Sequence, residues 1–177
     1  MLNKKIIKEA FLELDKLLPE KTNILIGVGA ALLILDIMPI ATMDIDAIPF
    51  KSVIGPEELK PFREKVAQKL GLPHDWINGY FYQLLYCLPE DYEKRLRVFF
   101  KGKKLICYVL HPTDILIMKL FAHRAKDESH IKYLIKNDST DIEYIDEHLE
   151  ECIDKNLPKA KEAQNYFHDL LEALGKL

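Results

Sequence analysis

Residues 105–110, LICYVL, are almost wholly apolar. A strand with one wet face alternates polar and apolar residues, because successive side chains point to opposite faces. LICYVL does not alternate, so the strand it forms is covered on both sides and lies inside a sheet rather than at its edge. The preceding RLRVFF, residues 95–100, reads as a neighbouring strand joined to it through a Lys-Gly-Lys turn. Two further strands stand upstream. In TNILIGVGAALLIL, residues 22–35, a short apolar strand runs into a turn at Gly27-Val28-Gly29 and then a buried helix. In TMDIDAI, residues 42–48, Met43, Ile45 and Ala47 take one face and Thr42, Asp44, Asp46 and Ile48 the other. The sheet therefore has at least four strands.

Helices account for much of the rest. Ile6, Ile7, Ala10, Phe11, Leu14, Leu17 and Leu18 recur at three- and four-residue intervals, and Pro19 ends the pattern. A helix is predicted from Pro56, with Glu57 and Glu58 in its first turn, to Leu70, with Gly71 closing it. Beyond His111-Pro112 the chain is helical to Leu174, with Thr113, Asp127 and Asp141 as N-caps or first-turn acids. His123 and His130 stand about two turns apart if that stretch is continuous. Residues 72–94, rich in aromatics and with prolines toward both ends, fit neither period.

With 177 residues the chain is long enough for one well-buried core, and a single domain over 1–177 is expected, an α/β part over 1–110 and a helical part over 111–177. A hydrophobic share of 49% beside 30% charged residues excludes a disordered or fibrous chain. The formal net charge of −3 supplies no general attraction to nucleic acid or anionic membrane. Cys87, Cys107 and Cys152 have neither disulfide-framework nor metal-site spacing, which fits a reducing cytoplasm. Asp36 and Pro39 interrupt the apolar run from Ile24 to Ile40, so no membrane association is expected.

Asp44 and Asp46 are the chemical feature that needs explaining. At i and i+2 of a strand they project side by side, about 7 Å apart, and repel unless a cation lies between them. Carboxylate oxygens suit Mg²⁺ or Mn²⁺, which bind through one or two acids together with substrate phosphates. A wet strand face explains such a pair as simply. The glycine turn upstream adds to the first account, since amides at a strand-to-helix turn can cradle phosphate; tight packing is the alternative role for the glycines.

The stretch LIGVGAALLILDIMPIATMDIDAI resembles the first motif of the DNA polymerase beta-type nucleotidyltransferase superfamily, a glycine pair opening a helix and then a D-x-D strand. It is most similar to the small bacterial branch that includes AbiEii-type toxins and a domain of unknown function numbered 6036. LHPTDILIMKLFAHRAKDESHI, residues 110–131, resembles the later motif of that branch, a proline and acid starting a helix with a lysine, then Arg-x-Lys-Asp.

The resemblance implies a mixed sheet of four to five strands flanked by helices, and transfer of a nucleoside monophosphate from a nucleoside triphosphate to a protein or RNA hydroxyl with Mg²⁺ or Mn²⁺. By similarity, Gly27 and Gly29 shape the triphosphate loop, Thr42 adjoins the nucleotide, and Asp44 and Asp46 are the catalytic metal ligands. Lys119 faces the nucleotide as a third catalytic group, and Arg124, Lys126 and Asp127 form a second nucleotide-binding cluster. It further implies a toxin that pairs with a cognate antitoxin. The chain departs from the branch at Ile40, where an arginine is usual, and at His130, where an acid is common; its strands between 95 and 110 lack the third carboxylate of active members. A catalytically lapsed fold that binds a nucleotide or partner is therefore the alternative expectation.

Overall fold

The computed structural model describes residues 1–38, 42–138 and 140–176. It is a mixed α/β fold in two compact units, the first comprising 1–82 and 95–110, the second 83–94 and 111–177.

The first unit is built on a five-stranded mixed sheet of β1 (Thr22–Ile26), β2 (Ile45–Pro49), β3 (Ile77–Asn78), β4 (Arg97–Lys101) and β5 (Leu105–Val109), in the order β3-β2-β1-β5-β4. LICYVL is interior as its pattern requires: β5 lies parallel to β1 on one side and antiparallel to β4 on the other. Helix α1 (Lys4–Leu17) starts at Asn3, whose Oδ1 accepts the N–H of Ile6, satisfying an amide that the first turn leaves unpaired. Its stripe of Ile7, Ala10, Phe11 and Leu14 is buried. The Phe11 ring lies about 6 Å, centroid to centroid, from those of Trp76, Phe99 and Phe100. Helix α2 spans Val28–Ile34, and α3 runs over the expected Pro56–Leu70, with Gly71 in the left-handed conformation that ends it.

Strand β2 begins at Ile45, three residues later than its alternation from Thr42 implied. Met43 sits in the bend ahead of it and is 63% exposed, so it does not share the inner face of Ile45 and Ala47. Strand β3 has only two residues, and α3 holds them from the side: Arg63 Nη1 donates to the Ile77 carbonyl, and the Trp76 indole N–H donates to the Arg63 carbonyl.

In the second unit, helix α4 (Pro112–Ala122) is packed by α5 (Glu128–Lys136), α6 (Ile142–Asp154) and α7 (Ala160–Ala173). Every residue of α4 from Pro112 to Phe121 is buried; a helix apolar on all sides is stable only inside a bundle. The stretch read as helical from Thr113 onward is not continuous from α4 into α5. His123 turns left-handed at φ +46°, Arg124 is extended, and a short 3₁₀ turn over Ala125–Asp127 precedes α5. His123 and His130 consequently do not lie on one helix. The capping roles also shift. His111 caps α4 through Nδ1, Thr113 Oγ1 instead accepts the N–H of Asp141, and Asp127 makes no cap bond with its side chain, whereas Asp141 caps α6 as expected.

Candidate functional site

The glycine turn and the acids meet because β1 and β2 are antiparallel neighbours. The register pairs Ile26 with Ala47, and one residue on, the Gly27 N–H donates to the Asp46 carbonyl at 2.9 Å. That amide is committed to the sheet. The first intrahelical bond of α2 runs from Ala31 N–H to the Gly27 carbonyl, so the amides of Val28, Gly29 and Ala30 stand ahead of the helix's own ladder. Val28 has φ +49°, a conformation that costs a β-branched residue on the order of 1–3 kcal/mol and survives only where its surroundings impose it.

Phe81 packs against the start of this turn. Its ring lies over the Gly27 Cα so closely that an added Cβ would come within 3.1 Å of ring atoms. The space a side chain would fill at Gly27 is thus taken by Phe81, and any phosphate cradle is left to the amides from Val28 onward.

Asp44 precedes β2 and Asp46 lies within it; both are half-buried, while Ile45 and Ala47 between and beyond them are buried. Thr42 Oγ1 donates to the Asp44 carbonyl at 2.6 Å, fixing the bend that leads into the strand. Asp44 Oδ2 accepts a 2.7 Å bond from the side-chain amide of Asn78. Asn78 stands opposite Asp46 in the parallel β2–β3 register and is 7% exposed. Sequence reasoning passed over it, and the one available signal was an uncharged polar residue followed by glycine inside an aromatic stretch. Of the aromatics there, Trp76 and Phe81 are buried, whereas Tyr80 is 71% and Tyr82 65% exposed.

Among the described residues, no three His, Cys, Asp or Glu side chains gather to hold a metal ion. Two half-buried carboxylates nevertheless fit a hard divalent cation, since Mg²⁺ commonly takes one or two acids and completes its shell with water and phosphate oxygens. The donor set fits a metal arriving with a nucleotide better than a metal alone.

The remaining singled-out residues lie in the second unit. Lys119, 2% exposed within α4, forms a 2.5 Å ion pair with Asp127, 7% exposed. Arg124 and Lys126 lie between these two in the chain and are exposed. His130 is buried enough that desolvation lowers its pKa; the Lys119 charge lowers it further, and Asp127 opposes the shift. Elsewhere in this unit, Asp114 is fully buried in α4, Asp91 accepts from the Tyr144 hydroxyl at 2.7 Å, and Glu90 is exposed beside Lys155. Ile40 lies outside the described residues. A cavity of about 480 Å³ in this unit is lined by Tyr86, Tyr144, His148 and Cys152 among others, and by none of the residues expected in the site.

A family model described as a nucleotidyltransferase of unknown function (DUF6036) matches residues 4–171. The chain belongs to that family. No curated protein and no solved structure matches it. Membership makes a nucleotidyltransferase the coarse functional assignment, with a nucleotide as the ligand class. Among the described residues, no helix is long and apolar enough to cross a membrane.

Proposed function

We propose that this DUF6036 chain transfers a nucleoside monophosphate from a nucleoside triphosphate to a hydroxyl of a protein or an RNA, with Mg²⁺ or Mn²⁺ held by Asp44 and Asp46. The observation that carries it is the bond from Gly27 N–H to the Asp46 carbonyl, which brings the strand-to-helix turn and the acid pair together at one end of the sheet. In the reaction the acceptor oxygen bonds to the α-phosphorus, the bond to the β-bridging oxygen breaks, pyrophosphate leaves, and the acceptor's proton passes to solvent. The divalent ion supplies charge neutralisation on the phosphates. Asp44 and Asp46 anchor that ion, and the amides ahead of α2 bind and orient the phosphate chain. Thr42 keeps Asp44 in register. Tyr80 and Tyr82 offer exposed ring faces on which a base can stack.

Lys119, Arg124, Lys126 and Asp127 are proposed as a second nucleotide-binding cluster on the strength of their motif. Within it, Lys119 and Asp127 form the buried ion pair. We also place the chain in the AbiEii-like branch of the polymerase beta-type superfamily, in the cytoplasm, as the toxin of a pair with a cognate antitoxin. The experiment is binding and transfer with each labelled nucleoside triphosphate, with and without Mn²⁺, in wild type and in Asp44→Asn/Asp46→Asn. Metal-dependent binding and label transfer, both lost in the double variant, are expected. Equal binding in the two proteins sinks the proposal. Asn78 standing where β3 could have offered an acid favours a second possibility, a fold that binds without turnover; any metal-dependent transfer of label counts against it.

A further inference from the structure

We infer that Asn78 is the positioning residue of the acid pair, and that it makes occupation of the site by a divalent cation depend on the nucleotide; this rests on the function proposed above. Asn78 reaches the pair from a different strand. Its Cα is in register with Asp46, its Nδ2 donates to Asp44 Oδ2 at 2.7 Å, and its Oδ1 accepts the Tyr80 N–H at 3.3 Å. An ionised carboxylate only accepts hydrogen bonds, so the amide nitrogen is the end that must face it, and the oxygen is then free for the backbone amide. Both ends of the amide are used, and the side chain is buried.

The whole segment 78–81 is organised around this contact. Gly79 passes so close to Ile48 that a Cβ there would lie 3.2 Å from its methyl group, and Phe81 rests on Gly27. Three of these four consecutive residues, Asn78, Gly79 and Phe81, thus touch one of the acids, their strand and the phosphate turn. Asn78 has two effects on the acid pair. It fixes one Asp44 oxygen, leaving the other to turn toward an ion. Being neutral, it leaves the pair at two negative charges, too few donors to hold a bare ion tightly and enough to hold one that brings phosphate oxygens with it.

The test is to titrate Mn²⁺ alone, and Mn²⁺ with each of the four α,β-methylene nucleoside triphosphates, into wild type, Asn78→Asp, Asn78→Ser and Asp44→Asn/Asp46→Asn, while following melting midpoints. Asn78→Asp adds a third acid at the same place. It is expected to melt lower than wild type without metal, to bind Mn²⁺ alone at least tenfold more tightly, and to regain its midpoint when Mn²⁺ is added. Folding of Asn78→Asp only in the presence of Mn²⁺ is the extreme form of the same result. The shorter hydroxyl of Asn78→Ser releases Asp44, and tenfold weaker binding of Mn²⁺ with nucleotide is expected at a midpoint near that of wild type. Wild-type affinity for Mn²⁺ alone in Asn78→Asp, or undiminished nucleotide-dependent binding in Asn78→Ser, overturns the inference. If the Asp44/Asp46 double variant has lost nucleotide binding in that same experiment, the proposed function stands without it. If the double variant binds like wild type, both fall.

Discussion

Lys119 and Asp127 neutralise one another at 2.5 Å inside the helical unit, where neither charge has ready access to water. Replacing Asp127 by a neutral residue removes this buried ion pair. Asp127→Asn is expected to cost about 3–5 kcal/mol in urea denaturation, and the apolar pair Lys119→Met/Asp127→Leu to recover most of it. The double variant also separates roles: if Lys119 contacts the nucleotide, a stable Met/Leu protein loses nucleotide affinity.

Asp15 gathers three backbone amides of the β4–β5 turn, those of Lys103, Lys104 and Leu105, and its carboxylate fills the space where Gly102 would otherwise carry a Cβ. Burial alone would raise its pKa; the three amides outweigh burial and hold the carboxyl below its ordinary 3.8. A depressed carboxyl contributes stability that is present above the unfolded value and lost as pH falls through the folded one. Asp15→Ala is therefore expected to cost about 1–2 kcal/mol at pH 7, allowing for solvent around the half-exposed group. The gap between the two urea midpoints should narrow steadily below pH 4.

His130 acts in the opposite pH range. Its pKa is below the ordinary 6.5, chiefly through burial and then through Lys119. As pH falls past 6.5 the unfolded chain takes up a proton that the folded chain resists, so stability declines from there down through the depressed value. His130→Gln is expected to flatten the melting midpoint between pH 7 and 5. An unchanged slope would place the proton uptake elsewhere.

Gly27 and Phe81 form a tight contact, in which a methyl group added at Gly27 would sit 3.1 Å from the ring. Gly27→Ala is expected to lower stability by about 1–3 kcal/mol through overpacking, and Phe81→Leu in that background to return part of it. The four-protein cycle measures the coupling; simple additivity would mean the ring yields freely.

Much of this architecture is local in origin and therefore legible in the sequence. LICYVL announced an interior strand, and Pro56 with Gly71 marked both ends of α3, because burial and capping act within a few residues. The glycine turn and the acid pair were visible for the same reason. What stayed hidden was carried by distant partners. Two residues make a strand at Ile77–Asn78 only because Arg63, Trp76 and β2 hold them, and Asn78 meets Asp44 across 34 positions of chain. The break between α4 and α5 was hidden for another reason: His123 adopts a left-handed conformation usually marked by glycine or asparagine. Met43 continued an alternation that the bend at the start of β2 interrupts.

The pairing of β1 with β5 has a consequence for the order in which a ribosome can complete this protein. Thr22 pairs with Leu105 and Ile26 with Val109, so β1 waits for roughly eighty further residues before its parallel neighbour exists, a separation of the kind that slows folding. By then residues 83–94 have been made, while the helices that complete their unit have not. During synthesis the apolar side chains of Cys87 and Leu88, buried in the finished protein, must therefore pass a period uncovered. That interval, rather than any weakness of the native state, is where this chain is most exposed to aggregation and to chaperones.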